Sequence, residues 1–410
     1  MPARLAPEIV GIILGNVTDK QTLVACRLVS KSVEAIGARY VWRKLRIVKP
    51  GPSSNPKVPF EVISKAPHIS PYVKEIEFDV TNVEFPDELL KNIPGMLGEF
   101  SYFHNFKRLE ALCLVFPSAS MEPLERMEEG DEPFDFDNFS YDDDDFDGHL
   151  SPQRKVRTES FKMLGRIHLE HGFTVPALTI RELHPVPHTG MHAEGLLSFM
   201  KSLRKLSIAI PEVDPESLDV AIPEPTELYE AFRKDLTPLL GAARELRTFE
   251  YEGDEFADGL DASQWDSLTF PRLESLHLRK VSIRNDSPDN IRTHAILKFI
   301  LRHRATLKQL HLGNCTIDVQ SKTLFTWREV FDIFSQELKN LRQFTFLPVP
   351  DLEGDANPYL IFSGYTLFDR DQYWRRHCIP YGYDADALML SDRESLQALQ
   401  RELDARQSAP

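Results

Sequence analysis

The 410-residue sequence predicts an α/β solenoid, with parallel strands and covering helices, preceded by a small three-helix module. Three observations predict it. Eight segments share one pattern, apolar at positions 1, 4 and 6, and several gaps between them carry helical periodicity. The opening stretch, LAPEIVGIILGNVTDKQTLVACRLVSKSVEAIGARYVW, also has more apolar positions than about forty residues bury alone.

The totals set the class. Hydrophobic residues make up 42% of the chain, enough for a large core spread over two or more units. Cys26, Cys113, Cys315 and Cys378 lie far apart with no C-x-x-C pair, which is the usage of reduced thiols in the cytoplasm or nucleus. Ile9 to Leu14 is too short to span a bilayer, which takes about 20 residues, so no membrane partner is expected. Arg4 followed by Ile9 to Val17 has the outline of a secretory signal, but Glu8 interrupts it and no small-residue cleavage site follows before Asp19. The sequons at Asn16, Asn138, Asn285 and Asn314 therefore carry little weight. The net charge is −15, and the window Met121 to Asp147, with thirteen acids against Arg126, holds most of it. No basic stripe stands out, which argues against nucleic acid as a partner.

Taken in order, the elements begin with three short helices. Pro7 suits a first turn, Glu8 sits favourably near the positive end of the helix dipole, and Ile9, Ile12 and Ile13 share a face. Thr18 and Gln21 form a T-x-x-Q capping box for a second helix that displays Leu23, Cys26 and Val29. Ser30 or Ser32 caps a third, carrying Val33, Ile36 and Tyr40 to Trp42. These helices make a module over residues 1–48, and 49–70, opening with KPGPSSNPKVP, is a linker and entry segment.

Residues 71–350 then repeat a strand followed by a helix. The 1, 4, 6 pattern occurs at Val73/Ile76/Phe78, Leu109/Leu112/Leu114, Val175/Leu178/Ile180 and Leu203/Leu206/Ile208. It recurs at Leu246/Phe249/Tyr251, Leu273/Leu276/Leu278, Leu307/Leu310/Leu312 and Leu341/Phe344/Phe346. Ile296/Leu297/Phe299/Ile300 and Trp327/Phe331/Phe334/Leu338 are helical patterns between copies. The template is similar to the first half of the leucine-rich repeat, L-x-x-L-x-L-x-x-[NC]-x-L, and LKQLHLGNCTI fills every place of it with Leu307, Leu310, Leu312, Cys315 and Ile317. Spacings between copies run from 27 to 66 residues, so the solenoid is irregular, with an ordinary α/β domain as the simpler reading.

The widest gap holds an acidic insertion at about 121–150, centred on DEPFDFDNFSYDDDDFD. Repulsion among its carboxylates favours a solvated spacer, although Phe134, Phe136, Phe139, Tyr141 and Phe146 could serve a basic partner. Residues 351–410 form a cap: Ser391 and Glu394 offer a capping box for a helix bearing Leu396, Leu399 and Leu403. Tyr365, Phe368, Tyr373, Trp374, Tyr381 and Tyr383 cluster before it with Arg370, Arg375 and Arg376, either as part of the cap or as a contact patch.

The opening stretch resembles the F-box, which runs as Leu-Pro-x-Glu-Ile, an Ile- and Leu-bearing helix, a Leu-x-x-Cys-x-x-Val-Ser-Lys run and a closing Trp. The likeness covers Leu5 to about Leu45, with Ala6 where the family often has its first proline. It implies a Skp-type adaptor as partner, and through it a cullin. Leu5, Pro7, Glu8, Ile9, Ile12, Ile13, Leu23, Cys26, Val29 and Trp42 would then divide between module packing and adaptor binding. An F-box followed by irregular leucine-rich repeats is similar to the architecture of fungal F-box proteins, whose repeats select a protein substrate. The implied role is a non-catalytic substrate receptor of an SCF-type ubiquitin ligase. The alternative is a repeat scaffold outside ubiquitin ligases, its first helices capping the solenoid.

No catalytic chemistry competes with that reading. The chain has no G-x-S-x-G, H-E-x-x-H, G-x-x-x-x-G-K-[ST] or G-x-G-x-x-G, and no cofactor or catalytic residue is expected. His184, His188 and His192 in HPVPHTGMH have a spacing that would align imidazoles on a helix. Pro185 and Pro187 oppose a helix there and no nearby Cys completes a tetrahedral set, so solvated loop histidines are expected instead of a metal site.

Overall fold

A computed structural model describes residues 6–17, 19–48, 59–81, 95, 97–116, 152–185, 189–211, 225–253, 260–283, 291–318, 325–347, 365–369, 374–377 and 384–408. Three helices open it, α1 (Pro7–Gly15), α2 (Lys20–Arg27) and α3 (Lys31–Val41), followed at once by strand β1 (Lys44–Val48). Each copy of the 1, 4, 6 pattern then forms one strand. They are β2 (Glu75–Asp79), β3 (Ala111–Val115), β4 (Ala177–Arg181), β5 (Lys205–Ala209), β6 (Thr248–Glu252), β7 (Ser275–Arg279), β9 (Gln309–Gly313) and β11 (Gln343–Leu347). With β1 they make a nine-stranded sheet in chain order.

The register explains the pattern. Leu45 of β1 pairs with Ile76, Ile76 with Leu112, Phe249 with Leu276, and Leu276 with Leu310, all fourth positions. Side chains alternate across a strand, so positions 4 and 6 of every copy turn to the helix-covered side and are buried, while 3, 5 and 7 face the other way. Trp42, Leu45 and Ile47 repeat the same spacing. The predicted helical module over 1–48 is thereby corrected: its last five residues are a strand, and the residue that closes the helices also begins the array.

Between β7 and β9, and again after β9, the short strands β8 (Ser282–Ile283) and β10 (Thr316–Asp318) start a second sheet. It is completed by β12 (Tyr365–Asp369) and β13 (Trp374–His377), the latter antiparallel. The chain leaves β4, β7 and β9 through Glu182, Lys280 and Asn314, each with φ between 51° and 56°. All three occupy position 8 of the template. This left-handed turn carries position 9 inward, burying Leu183, Val281 and Cys315. Cys315 donates its thiol to the Leu278 and Gly313 carbonyls at 3.4 and 3.6 Å, and burial pushes its pKa up to about 12.

The chain divides into two compact units. One is drawn from Met1–Pro117, Asp145–Ile180 and Ala193–Phe199, the other from Ser118–Asp144, Arg181–His192 and Met200–Pro410. In the first, an aromatic cluster of Phe60, Phe78, Phe100, Phe103 and Phe106 fills the core. Strand β1 is tied to β2 by ion pairs, Arg46 to Glu77 at 2.9 Å and Arg46 to the buried Asp79. In the second, Trp265, Phe270 and Phe299 pack with His303, and the helix Trp327–Glu337 covers Phe344 and Phe346.

The terminal helix, Ala385–Ser408, starts before the predicted Ser391/Glu394 capping box. Asp384 accepts from the Ala387 N–H at 3.0 Å, and the run ALMLSDRESL continues the helix without a break. It buries Leu388, Leu396, Leu399 and Leu403 and holds the Trp327–Glu337 helix at both ends. Asp392 accepts from the Arg328 N–H at its start, and Arg406 donates to the Ser335, Leu338 and Leu341 carbonyls at its finish. Each charge has the sign that the helix dipole favours. The linker at 49–58, the acidic insertion at 121–150, and Arg370, Tyr373, Tyr381 and Tyr383 lie outside the described residues.

Candidate functional site

The first three helices form the candidate site. α1 begins on Pro7, whose missing N–H costs nothing at a helix start, with Glu8 in the first turn. It ends where Asn16 folds back, donating its side-chain amide to the Ile12 carbonyl at 2.8 Å. α2 begins on Asp19, which accepts from the Gln21 and Thr22 N–H groups at 3.3 and 2.6 Å. The predicted Thr18 cap is thus replaced by the next residue, Thr18 itself lying outside the described residues. A carboxylate at this place gains charge-assisted bonds that a hydroxyl cannot match, and those from Thr22 hold the Asp19 pKa below its ordinary value. α3 begins on Ser30, which accepts from the Val33 N–H at 3.2 Å.

These helices share a small core of their own. Leu14, Leu23 and Val41 are buried in it, with Val10, Cys26, Val33, Ile36, Tyr40 and Trp42 packed around them. α1 meets α3 through its glycines: a Cβ on Gly15 would lie 3.3 Å from the Tyr40 ring, and Gly11 accepts a hydrogen bond from the Tyr40 hydroxyl. The inward face of α1 is therefore Val10, Gly11 and Leu14. Its three isoleucines point elsewhere.

Ile9, Ile12 and Ile13 are exposed, Ile12 by 66%. Val24 of the second helix and Leu28 just after its end are exposed as well, Leu28 by 86%, and Val29 follows at 75%. Six of the eleven large apolar side chains exposed among the described residues thus fall between positions 9 and 29, whereas only one of the eleven, Leu347, lies in a strand. If five or six of them were removed from water by a partner, gross burial at about 1.5–3 kcal/mol each would be of order 10 kcal/mol before association costs.

The sequence-derived candidates divide accordingly. Pro7, Glu8, Ile9, Ile12, Ile13 and Val29 face outward, while Leu23, Cys26 and Trp42 belong to the module's own core. Leu5 lies outside the described residues. Leu23, Cys26 and Val29 do not share a face as their spacing suggested. α2 stops at Arg27, and the turn at Leu28 rotates Val29 out. Val24 and Leu28, four residues apart, are the outward pair that the sequence reading missed.

A second candidate surface is the open side of the sheet in the second unit, where residues at positions 3, 5 and 7 stand in rows. Ser207, Glu250, His277, His311 and Thr345 make one row, with the His277 and His311 rings 5.4 Å apart. Lys205 lies 2.6 Å from Glu250 and Arg279 lies 3.2 Å from Glu252. Partial burial holds both histidines below their ordinary pKa. Burial alone would raise Glu250, but bonds from Lys205 and Ser207 carry it below the usual carboxylate range.

Elsewhere the histidines of HPVPHTGMH separate. His184 is buried, His192 lies 2.9 Å from the buried Asp235, and His188 is outside the described residues, so the expectation of solvated loop imidazoles is corrected for His184. Among the described residues no three His, Cys, Asp or Glu side chains meet in a way that could hold a metal ion, and no helix is long and apolar enough to cross a membrane. No family model matches the chain, and no curated protein matches its sequence.

Proposed function

We propose that this chain is the non-catalytic substrate-recognition subunit of an SCF-type cullin ubiquitin ligase, working in the cytoplasm or nucleus. Its first three helices dock a Skp-type adaptor, and its strand-and-helix array, read as irregular leucine-rich repeats, presents a protein substrate. One observation carries this reading: Ile9, Ile12, Ile13, Leu28 and Val29 point away from a module whose core is already filled by Leu14, Leu23 and Val41. Apolar surface concentrated this way marks a protein interface.

The chain then transforms nothing itself. Holding a substrate lysine beside a charged conjugating enzyme raises their effective concentration, and the reaction needs no acid, base or nucleophile from the receptor. The test is capture of a Skp-type adaptor by the full chain, compared with the double variant Ile12→Asp plus Ile13→Asp. Because both side chains are exposed, the variant should fold normally and lose the adaptor. Failure of the wild type to bind, or binding unaffected by the variant, rejects the reading.

The alternative, a scaffold outside ubiquitin ligases with the helices as a cap, draws support from the direct run of α3 into β1. Deleting residues 1–41, which spares β1, distinguishes the two. A separate docking module leaves the melting of the remainder nearly unchanged, whereas loss of a cap lowers it sharply.

A further inference from the structure

Five turns in the second unit lead into β5, β6, β7, β9 and β11, and they lie side by side at one edge of the sheet. The backbone ladder fixes this. The Arg247 N–H donates to the Arg204 carbonyl, Glu274 to Arg247, Lys308 to Glu274 and Arg342 to Lys308, at 2.7 to 2.8 Å. Every one of these turns carries at least one cation. They carry in order Lys201 and Arg204; Arg244 and Arg247; Arg272; Arg304 and Lys308; Lys339 and Arg342. All of these side chains are exposed, and the same turns contain only two carboxylates, Glu245 and Glu274. The turns of a chain of net charge −15 thus hold nine cations and two acids; Arg272 pairs with Glu245, and Arg304 and Lys339 lie 3.9 Å from Glu337 and Glu402 of the neighbouring helices, which leaves the edge with an excess of positive charge. A notch of about 420 Å³ opens there, lined by Arg247, Arg272, Glu274, Lys308, Asn340 and Arg342 among others.

We infer that this basic edge is a binding site for an acidic, extended peptide segment of a partner protein. Five laddered positions at about 4.8 Å span about 19 Å, the length of about six extended residues. Cations in such a row favour a run of carboxylates by complementary potential. The neighbours of the row decide the class of ligand. Glu274 sits between Arg247 and Lys308, at 3.3 and 2.8 Å, and Asn340, whose amide nitrogen donates to the Ala305 carbonyl at 2.8 Å, lines the same notch. A peptide brings N–H donors for Glu274 between its acidic side chains, whereas a phosphate chain would set a charge against it. The notch has no aromatic lining on which bases could stack and no long apolar side chain to enter a lipid surface. The inference deepens the receptor reading by naming a class of substrate, and it stands on different residues from the adaptor face.

The test is fluorescence anisotropy of the full chain with a labelled ten-residue peptide of alternating Glu and Ser. Controls are its Gln counterpart, single-stranded oligouridylate and phosphatidylserine vesicles. The Glu peptide should bind at least tenfold more tightly than the Gln peptide at low salt and weaken as salt rises. Arg247→Glu plus Lys308→Glu should cut its affinity about tenfold, and the milder pair Arg272→Gln plus Lys308→Gln, for use if the reversal does not fold, about threefold. Equal binding of the Gln peptide, tighter binding of the RNA or vesicles, or an affinity unmoved by the folded variant overturns the inference. The Ile12→Asp plus Ile13→Asp chain should bind the peptide like the wild type, so failure of the adaptor test leaves this one readable.

Discussion

Tyr40 of α3 donates its hydroxyl to the Gly11 carbonyl of α1 over 2.7 Å. The bond fixes how α1 rests on α3 and therefore which way its isoleucines point. Tyr40→Phe keeps the ring against Gly15 and removes only this bond, so it should cost about 0.5–1.5 kcal/mol. Hydrogen exchange checks it: amides of α1 should lose protection while those of β6 and β7 keep theirs.

The two sides of the helical module should respond oppositely to substitution. Leu14→Ala empties a buried place in a small core and should destabilise the module by about 2–5 kcal/mol. Leu28→Ser removes a side chain in open solvent and should change stability by less than about 0.5 kcal/mol. Urea denaturation followed by far-ultraviolet dichroism measures both. A large loss from Leu28→Ser would mean that its side chain is covered within the chain.

His303 predicts acid sensitivity. It is buried, its Nδ1 bonds the Phe299 carbonyl at 2.7 Å, and its Nε2 accepts from the Phe270 N–H at 2.9 Å, so the ring is neutral. Burial holds its pKa below the ordinary value of 6.5. The unfolded chain then takes up a proton that the folded one refuses. Stability from this group is full above about pH 6.5 and falls as the pH drops from there toward the depressed folded value. His303→Gln can keep an acceptor for Phe270 without titrating, and should flatten the decline in thermal midpoint between about pH 6.5 and 5 relative to wild type.

The terminal helix should be removable from its neighbour one end at a time. Asp392→Ala deprives the Arg328 N–H of its buried acceptor, and Arg406→Ala frees the Ser335, Leu338 and Leu341 carbonyls. Each should cost about 1–3 kcal/mol. The sites are at opposite ends of one helix, so the double variant should show nearly additive losses in chemical denaturation.

Much of this architecture was legible because burial alternates along a strand and the chain wrote that alternation eight times. β1 was missed through the double duty of Trp42, which packs among the first helices and also takes position 1 of a ninth copy. The α1 face was legible as a face, its isoleucines left divided between module packing and adaptor binding. What the sequence could not divide, the structure does: Gly11, Gly15 and Tyr40 occupy the helix contact, which turns Ile9, Ile12 and Ile13 outward. The basic edge escaped for a different reason. Its cations lie one or two to a turn, separated by whole helices, and only the ladder that joins Arg204, Arg247, Glu274, Lys308 and Arg342 sets them side by side.

Only Trp42 and Arg43 separate the last residue of α3 from the first of β1, and β1 is bonded to β2 along its whole length. A protein seated on Ile12 and Ile13 would consequently be joined to the first strands through two residues and not through a long tether. The spacing between that seat and β1 would act as a ruler, and inserting a flexible Gly-Ser segment after Val41 should blur it without touching Ile12 or Ile13.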